Sequence, residues 1–205
     1  SEGERLCFEA ADEYEKGNYE TAVKLWRTSA ELNDGYAQLC LAACLRTGRG
    51  IERDECASFG MLNKSASQGN PAAQYFLAQC YEFGDGADKN MAEAFGWYQK
   101  SAENDFADAQ YRLGRIYSSH KYLPVSEAKA VYWYAQAARQ GLVQALYRLG
   151  EYYFYGKSSQ CDRKKGFKLI EEAAEKQLPA AIFKLGQLYE NGEYVEKDTD
   201  RAAEY

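Results

Sequence analysis

His120 is the only histidine in the chain, so it is the one side chain whose ordinary pKa suits general acid–base work near neutral pH. It lies in an irregular stretch, Ser118-Ser-His-Lys-Tyr-Leu-Pro124, with no plausible Cys or Ser nucleophile near it, and reads as a solvated turn residue. Cys40 and Cys44 are four residues apart and could share one face of a helix. Two thiols without further ligands fall short of a zinc site, which usually takes four. Gly48-Arg-Gly50 and Gly84-Asp-Gly86 suggest phosphate loops at first sight, but phosphate loops follow strands, and these follow helical patterns and recur. Glu171, Glu172 and Glu175 read as the solvated face of a helix. No acid–base constellation is left, so no catalytic residue, metal site or cofactor is expected.

The elements that position any site come from a fixed period. Leu41, Leu77, Leu113, Leu149 and Leu185 are 36 residues apart, and a small residue follows each: Ala42, Ala78, Gly114, Gly150 and Gly186. Ala30, Ala66, Ala102, Ala138 and Ala174 form a second series. Asn18, Asp54, Asn90, Ser126, Asp162 and Asp198 form a third. A fixed period in this range means a repeat architecture, with one quasi-linear core rather than several globular ones.

Each unit reads as two helices. In residues 71–106, Pro71 suits a first helical turn. Ala73, Leu77, Cys80 and Tyr81 recur at helical spacing. Gly84-Asp85-Gly86 ends that helix and turns the chain. Asn90 then caps a second helix with Ala94, Trp97, Tyr98 and Ala102 inside. Small residues at 58, 94, 130, 166 and 202 let the paired helices approach closely. The pairs Leu25-Trp26, Met61-Leu62, Trp97-Tyr98, Trp133-Tyr134 and Leu169-Ile170 fill the space between layers. The expected repeats are 3–34, 35–70, 71–106, 107–142, 143–178 and a partial 179–205. In the first, Gly17 stands one residue before its cap, so its turn is five residues shorter. The helix opened by Asp198 stops at Tyr205, which predicts a chain cut from a longer protein or missing its ordered tail.

The net charge of -6 argues against general nucleic-acid binding, which depends on Lys and Arg neutralising phosphates. No apolar run approaches the roughly 18 residues of a membrane span. Cys44 and Cys80 share a phase and should sit on neighbouring helices. Helix axes pack about 8–10 Å apart, whereas bridged Cα atoms are usually about 4.4–6.8 Å apart. Free thiols in a reducing compartment are therefore expected. No signal peptide is visible, although a targeting segment removed ahead of residue 1 would leave none.

Ala73-Gln-Tyr-Phe-Leu-Ala-Gln-Cys-Tyr-Glu-Phe-Gly-Asp-Gly86 with Ala92-Glu-Ala-Phe-Gly-Trp-Tyr-Gln-Lys-Ser-Ala102 resembles a Sel-one-like repeat, the longer-turn relative of the tetratricopeptide repeat. So does Leu113-Gly-Arg-Ile-Tyr117 with Ala130-Val-Tyr-Trp-Tyr-Ala-Gln-Ala-Ala-Arg-Gln-Gly141, and Gly48-Arg-Gly-Ile-Glu-Arg-Asp54 supplies the characteristic turn. Lys16-Gly-Asn-Tyr-Glu-Thr-Ala22 looks more like a plain tetratricopeptide turn. The fourth unit lacks the turn glycines, and the fifth continues Lys157-Ser-Ser-Gln-Cys161. A cysteine-rich branch of the family pairs two cysteines within each repeat; this chain does not, so nothing carries over from it. The resemblance implies an all-α, right-handed α-solenoid of antiparallel helix pairs, with first helices lining a concave side, and an adaptor role.

Successive helical residues are about 100° apart. With the anchor leucine at the core, the position two later faces the other way. The neighbouring phases two and one before the anchor, and six after it, share that face, which the resemblance makes the concave groove. Two before the anchor come Leu39, Tyr75, Tyr111, Tyr147 and Phe183. One before come Cys40, Phe76, Arg112, Arg148 and Lys184. Two after come Ala43, Gln79, Arg115, Glu151 and Gln187, and six after come Thr47, Phe83, Ser119, Tyr155 and Asn191. Aromatics thus lie beside a basic stripe in an acidic protein. Tyr and Arg are enriched at binding hot spots. The expected site is Tyr75, Phe76, Gln79, Phe83, Tyr111, Arg112, Arg115, Tyr147, Arg148, Glu151, Tyr155, Phe183 and Lys184. The expected partner is a protein or peptide segment with acidic and apolar residues. The other readings are an immunity-type protein that occludes one target, and the targeting domain of a larger enzyme.

Overall fold

The computed structural model describes residues 1–119, 124–156 and 161–205. His120 and the 157–160 stretch of the fifth turn lie outside the described residues. Every regular element among the described residues is an α-helix. In chain order these are α1 (Glu2–Glu15), α2 (Tyr19–Glu31), α3 (Gly35–Thr47), α4 (Glu55–Ser67), α5 (Pro71–Phe83) and α6 (Met91–Glu103). Then follow α7 (Ala107–Ser118), α8 (Glu127–Arg139), α9 (Val143–Tyr155), α10 (Arg163–Glu175), α11 (Pro179–Asn191) and α12 (Thr199–Glu204). The chain forms two compact units, residues 1–109 and 110–205.

In the first unit α1 packs on α2, α3 on α4 and α5 on α6, and each pair packs on the next. Short connections between packed helices make them antiparallel neighbours. In the second unit α9 packs on α8 and α10, and α11 on α10 and α12. The anchor leucines form the core of both, with Leu77 0% and Leu113 1% exposed. The second residue of each interlayer pair is buried: Trp26, Leu62, Tyr98, Tyr134 and Ile170. Small residues set the spacing. A Cβ on Gly114 would lie 2.6 Å from the Tyr134 ring, and one on Gly150 would lie 3.0 Å from Ile170 Cγ1.

All six predicted cap positions precede a helix. Asp54, Asn90, Asp162 and Asp198 accept a backbone N–H from the first turn. Asn18 and Ser126 make no such bond. The short first turn leaves Asn18 out of the extended conformation that capping needs, and its amide donates instead to Glu13 at 2.7 Å. In the longer turns one bond recurs. The N–H of the cap residue donates to the carbonyl four past the anchor: Asp54 to Leu45, Asn90 to Tyr81, Ser126 to Tyr117, Asp162 to Tyr153 and Asp198 to Tyr189, at 2.8–3.0 Å. This bond closes the turn even in the fourth and fifth units, which lack the paired glycines. Where the pair is present its second glycine has a packing role. Gly50 and Gly86 have φ of +72° and +74°, and a Cβ on either would strike the backbone of Tyr19 or Glu55 in the preceding second helix.

Candidate functional site

The positions that face away from the anchor leucines are the more exposed side of α5, α7, α9 and α11. In the first unit, Tyr75 packs against Phe76, Tyr98 and Phe106 with ring centroids 5.4–5.6 Å apart. Its hydroxyl accepts a hydrogen bond from Gln79 at 3.1 Å. Phe76 is half-buried beneath the Arg46 guanidinium, 4.8 Å from its ring centroid. Phe83 is 53% exposed. The four expected residues of this unit therefore lie along α5, three of them aromatic and the fourth, Gln79, bonded to Tyr75, with Phe83 at the open end.

In the second unit the predicted residues fall into two groups. Arg112 and Arg115 on α7 and Arg148 and Glu151 on α9 line one cleft of about 420 Å³. Tyr134 from α8 lies at the cleft too, together with Ser118, Ser119 and Tyr152. Arg148 donates to Glu151 Oε2 at 2.7 Å, and the Tyr147 hydroxyl donates to Glu151 Oε1 at 2.9 Å. Burial opposes the charge on Arg148, but bonds to Glu151 and to the Tyr111 hydroxyl outweigh it and raise the guanidinium pKa. Tyr147 itself is buried, and burial together with the Glu151 carboxylate pushes its phenol well up. Tyr111 packs on Tyr134 at 5.7 Å. The second group sits further along. Lys184 on α11 holds its ammonium 4.5 Å from the Tyr155 ring centroid. Tyr155 in turn reaches Glu193, which also pairs with Arg163 at 3.1 Å. Phe183 is 68% exposed and lines an apolar recess of about 680 Å³ with Ile182, Gly186 and Tyr205.

Five cleft residues lie outside the expected set: Ile116, Ser118, Ser119, Tyr134 and Tyr152. Tyr134 reads as core by period, yet its hydroxyl lies 3.3 Å from Ser118 Oγ at the cleft wall. Tyr152 carries a signal that could have found it. Its phase is Cys44, Cys80, Ile116, Tyr152 and Leu188, so it alone brings a hydroxyl to a core position. Phe8 falls outside the expected set for another reason. The first turn is five residues shorter, so the first helix shifts its anchor to Ala10, which is 0% exposed. Two residues before it, Phe8 is 78% exposed. Burial also separates the thiols. All six cysteines are free, with Cys7, Cys44 and Cys80 buried and Cys56 and Cys161 exposed. Among the described residues no cluster of His, Cys, Asp and Glu could hold a metal ion, and no helix is long and apolar enough to cross a membrane.

The family model described as Sel1 repeat matches residues 5–34, 35–70, 71–106, 107–142, 143–178 and 179–205. Among solved structures, the fold is similar to a Sel1 repeat protein from Oxalobacter formigenes, 24% identical, with a TM-score of 0.88 over 96% of this chain and 80% of that one. It is similar to a protective antigen of uropathogenic Escherichia coli with an SLR fold, 33% identical, with a TM-score of 0.85 over 96% of this chain. The chain spans 43% of that antigen. An immunity protein from Pseudomonas aeruginosa is 20% identical, with a TM-score of 0.58 over 88% of this chain and 71% of that one; at that identity the likeness is one of fold. No curated protein matches the chain closely enough to count as a relative.

Proposed function

The chain belongs to the Sel1 repeat family, and from that premise we propose that it is a non-catalytic scaffold that captures a segment of another protein on the face opposite its anchor leucines. Sel1 repeat proteins are generally protein-interaction scaffolds. The observation that carries the finer reading is the cleft between α7 and α9. It gathers three guanidinium groups against one carboxylate, in a chain whose net charge is -6. The segment it suits is acidic, with apolar residues for Phe183 and its recess. Arginine matches carboxylates with two parallel hydrogen bonds. Side chains held on packed helices lose little freedom on binding, so more of the contact energy appears as affinity.

The test is charge reversal. Arg112→Glu together with Arg148→Glu is expected to abolish partner capture while helicity and thermal unfolding stay near wild type. Unchanged affinity would remove the cleft from the account. A protein that occludes one dedicated target would use the same face; purification with a single tight, stoichiometric partner would favour that form of the reading over an adaptor with several weak ones.

A further inference from the structure

We propose that the cleft of the second unit is an oxyanion subsite that takes a doubly charged group, either a phosphoryl group or a pair of adjacent carboxylates, carried by the captured segment. The inference deepens the proposed function and rests on it for the carrier of the anion, though not for the anion chemistry itself.

The cleft already shows how it binds an oxyanion. Glu151 reaches across one turn of α9 and takes the Arg148 guanidinium at 2.7 Å and the Tyr147 hydroxyl at 2.9 Å. Both its oxygens are thereby engaged on the α9 side. The α7 side is not matched in the same way. Arg112 has an interaction of its own, so the argument rests on Arg115. Arg115 is exposed, lines the cleft, and makes no side-chain hydrogen bond or ion pair with the described residues. An incoming single carboxylate would only duplicate what Glu151 does for Arg148. A dianion gains more, because it engages Arg115 and also feels the field of Arg148, and hydrogen bonds to charged groups are the strong ones. Hydroxyls complete the wall. Ser118 donates to the Arg115 backbone carbonyl at 3.0 Å and its Oγ lies 3.3 Å from the Tyr134 hydroxyl, and Tyr152 lines the same cleft. Burial pushes the Tyr134 phenol up to about 12, so it stays neutral at physiological pH. The volume of about 420 Å³ lies in the range of small-molecule sites, roughly 300–1,000 Å³. It therefore has room for a phosphorylated or doubly acidic side-chain group with its flanking backbone.

Inorganic phosphate is the direct probe, titrated at constant ionic strength into the whole chain and followed by backbone amide NMR shifts. Saturable shifts are expected at residues 112–119 and 148–152. Arg115→Gln should weaken phosphate about tenfold or more, as expected when a charged hydrogen-bond donor is lost. Glu151→Gln, which keeps the acceptor for Tyr147 and removes the competing charge, should strengthen it. Shifts that do not saturate, or that are the same in wild type and Arg115→Gln, would overturn the subsite. Thermal unfolding of both variants checks that they fold. Phosphoserine and Glu-Glu versions of one peptide then identify the source of the anion; Arg115-dependent binding of either supports the proposal. If the double charge reversal abolishes partner capture but phosphate does not bind, the scaffold reading stands and the subsite falls. If phosphate binds in the cleft but no partner is captured, the subsite stands and the scaffold reading falls.

Discussion

Burial decides which thiols in this chain can react. Desolvation pushes Cys7 and Cys80 up to about 11 and Cys40 to about 12. The thiolate is the nucleophile, so these groups stay protonated and slow at pH 8. Cys56 and Cys161 are exposed. A thiol-reactive dye at pH 8 is therefore expected to label Cys56 and Cys161 first and the other four only on unfolding. Mass-spectrometric mapping of the labelled peptides checks this, and early labelling of Cys7 or Cys80 would contradict it. The same distinction applies to the tyrosines of the candidate site. Tyr75 and Tyr147 stand at a phase that the helical wheel turns away from the core. Both are nevertheless held by neighbours, Tyr75 by three rings and Tyr147 by Glu151. Period alone assigns a direction to a side chain. It does not say whether a long ring folds back on to its own repeat.

At the scale of the element, the helices and their starts were legible because cap, anchor and small-residue phases all recur without insertion. What the period concealed is a set of polar clasps between second helices and the first helices before them. Ser29, Ser65 and Ser101 donate to the carbonyls of Gly3, Gly35 and Pro71 at 2.6–2.7 Å. In the second and third of these repeats a buried glutamine accepts an amide from the end of the second helix. Gln68 donates to Gln38 at 2.8 Å and Asn104 to Gln74 at 3.0 Å; in the second unit Gln140 donates to Gln110 at 2.9 Å. Later repeats replace the serine with Ala137 and Ala173, and the glutamine with Leu146 and Ile182. These phases mix polar and apolar residues, so no single-phase reading marks them as core. The structure shows that both versions are buried or partly buried, one satisfied by hydrogen bonds and the other by packing. Ser101→Ala removes this bond while the Pro71 carbonyl keeps its place in the α5 ladder, and should cost about 0.5–1.5 kcal/mol. Chemical denaturation should show a lower midpoint with an unchanged slope; an unchanged midpoint would mean that the clasp contributes nothing.

At the scale of the molecule, the repeat explains why function was harder to read than fold. The fold is written in what repeats, and five anchor leucines with six caps suffice to assign it. A site is written in what differs between repeats, and a single difference has no internal control. The arginines of α7 and α9 could be placed on one face by geometry, but their cleft also needed Tyr134 from α8 and Tyr152 from a core phase. The most direct test of the central claim places a photo-crosslinking amino acid at Tyr155 on the proposed face, and at Lys168 on the exposed side of α10 as the control. The account predicts a covalent partner adduct from position 155 and none from position 168. Equal adducts from both positions, or an adduct from position 168 alone, would contradict it.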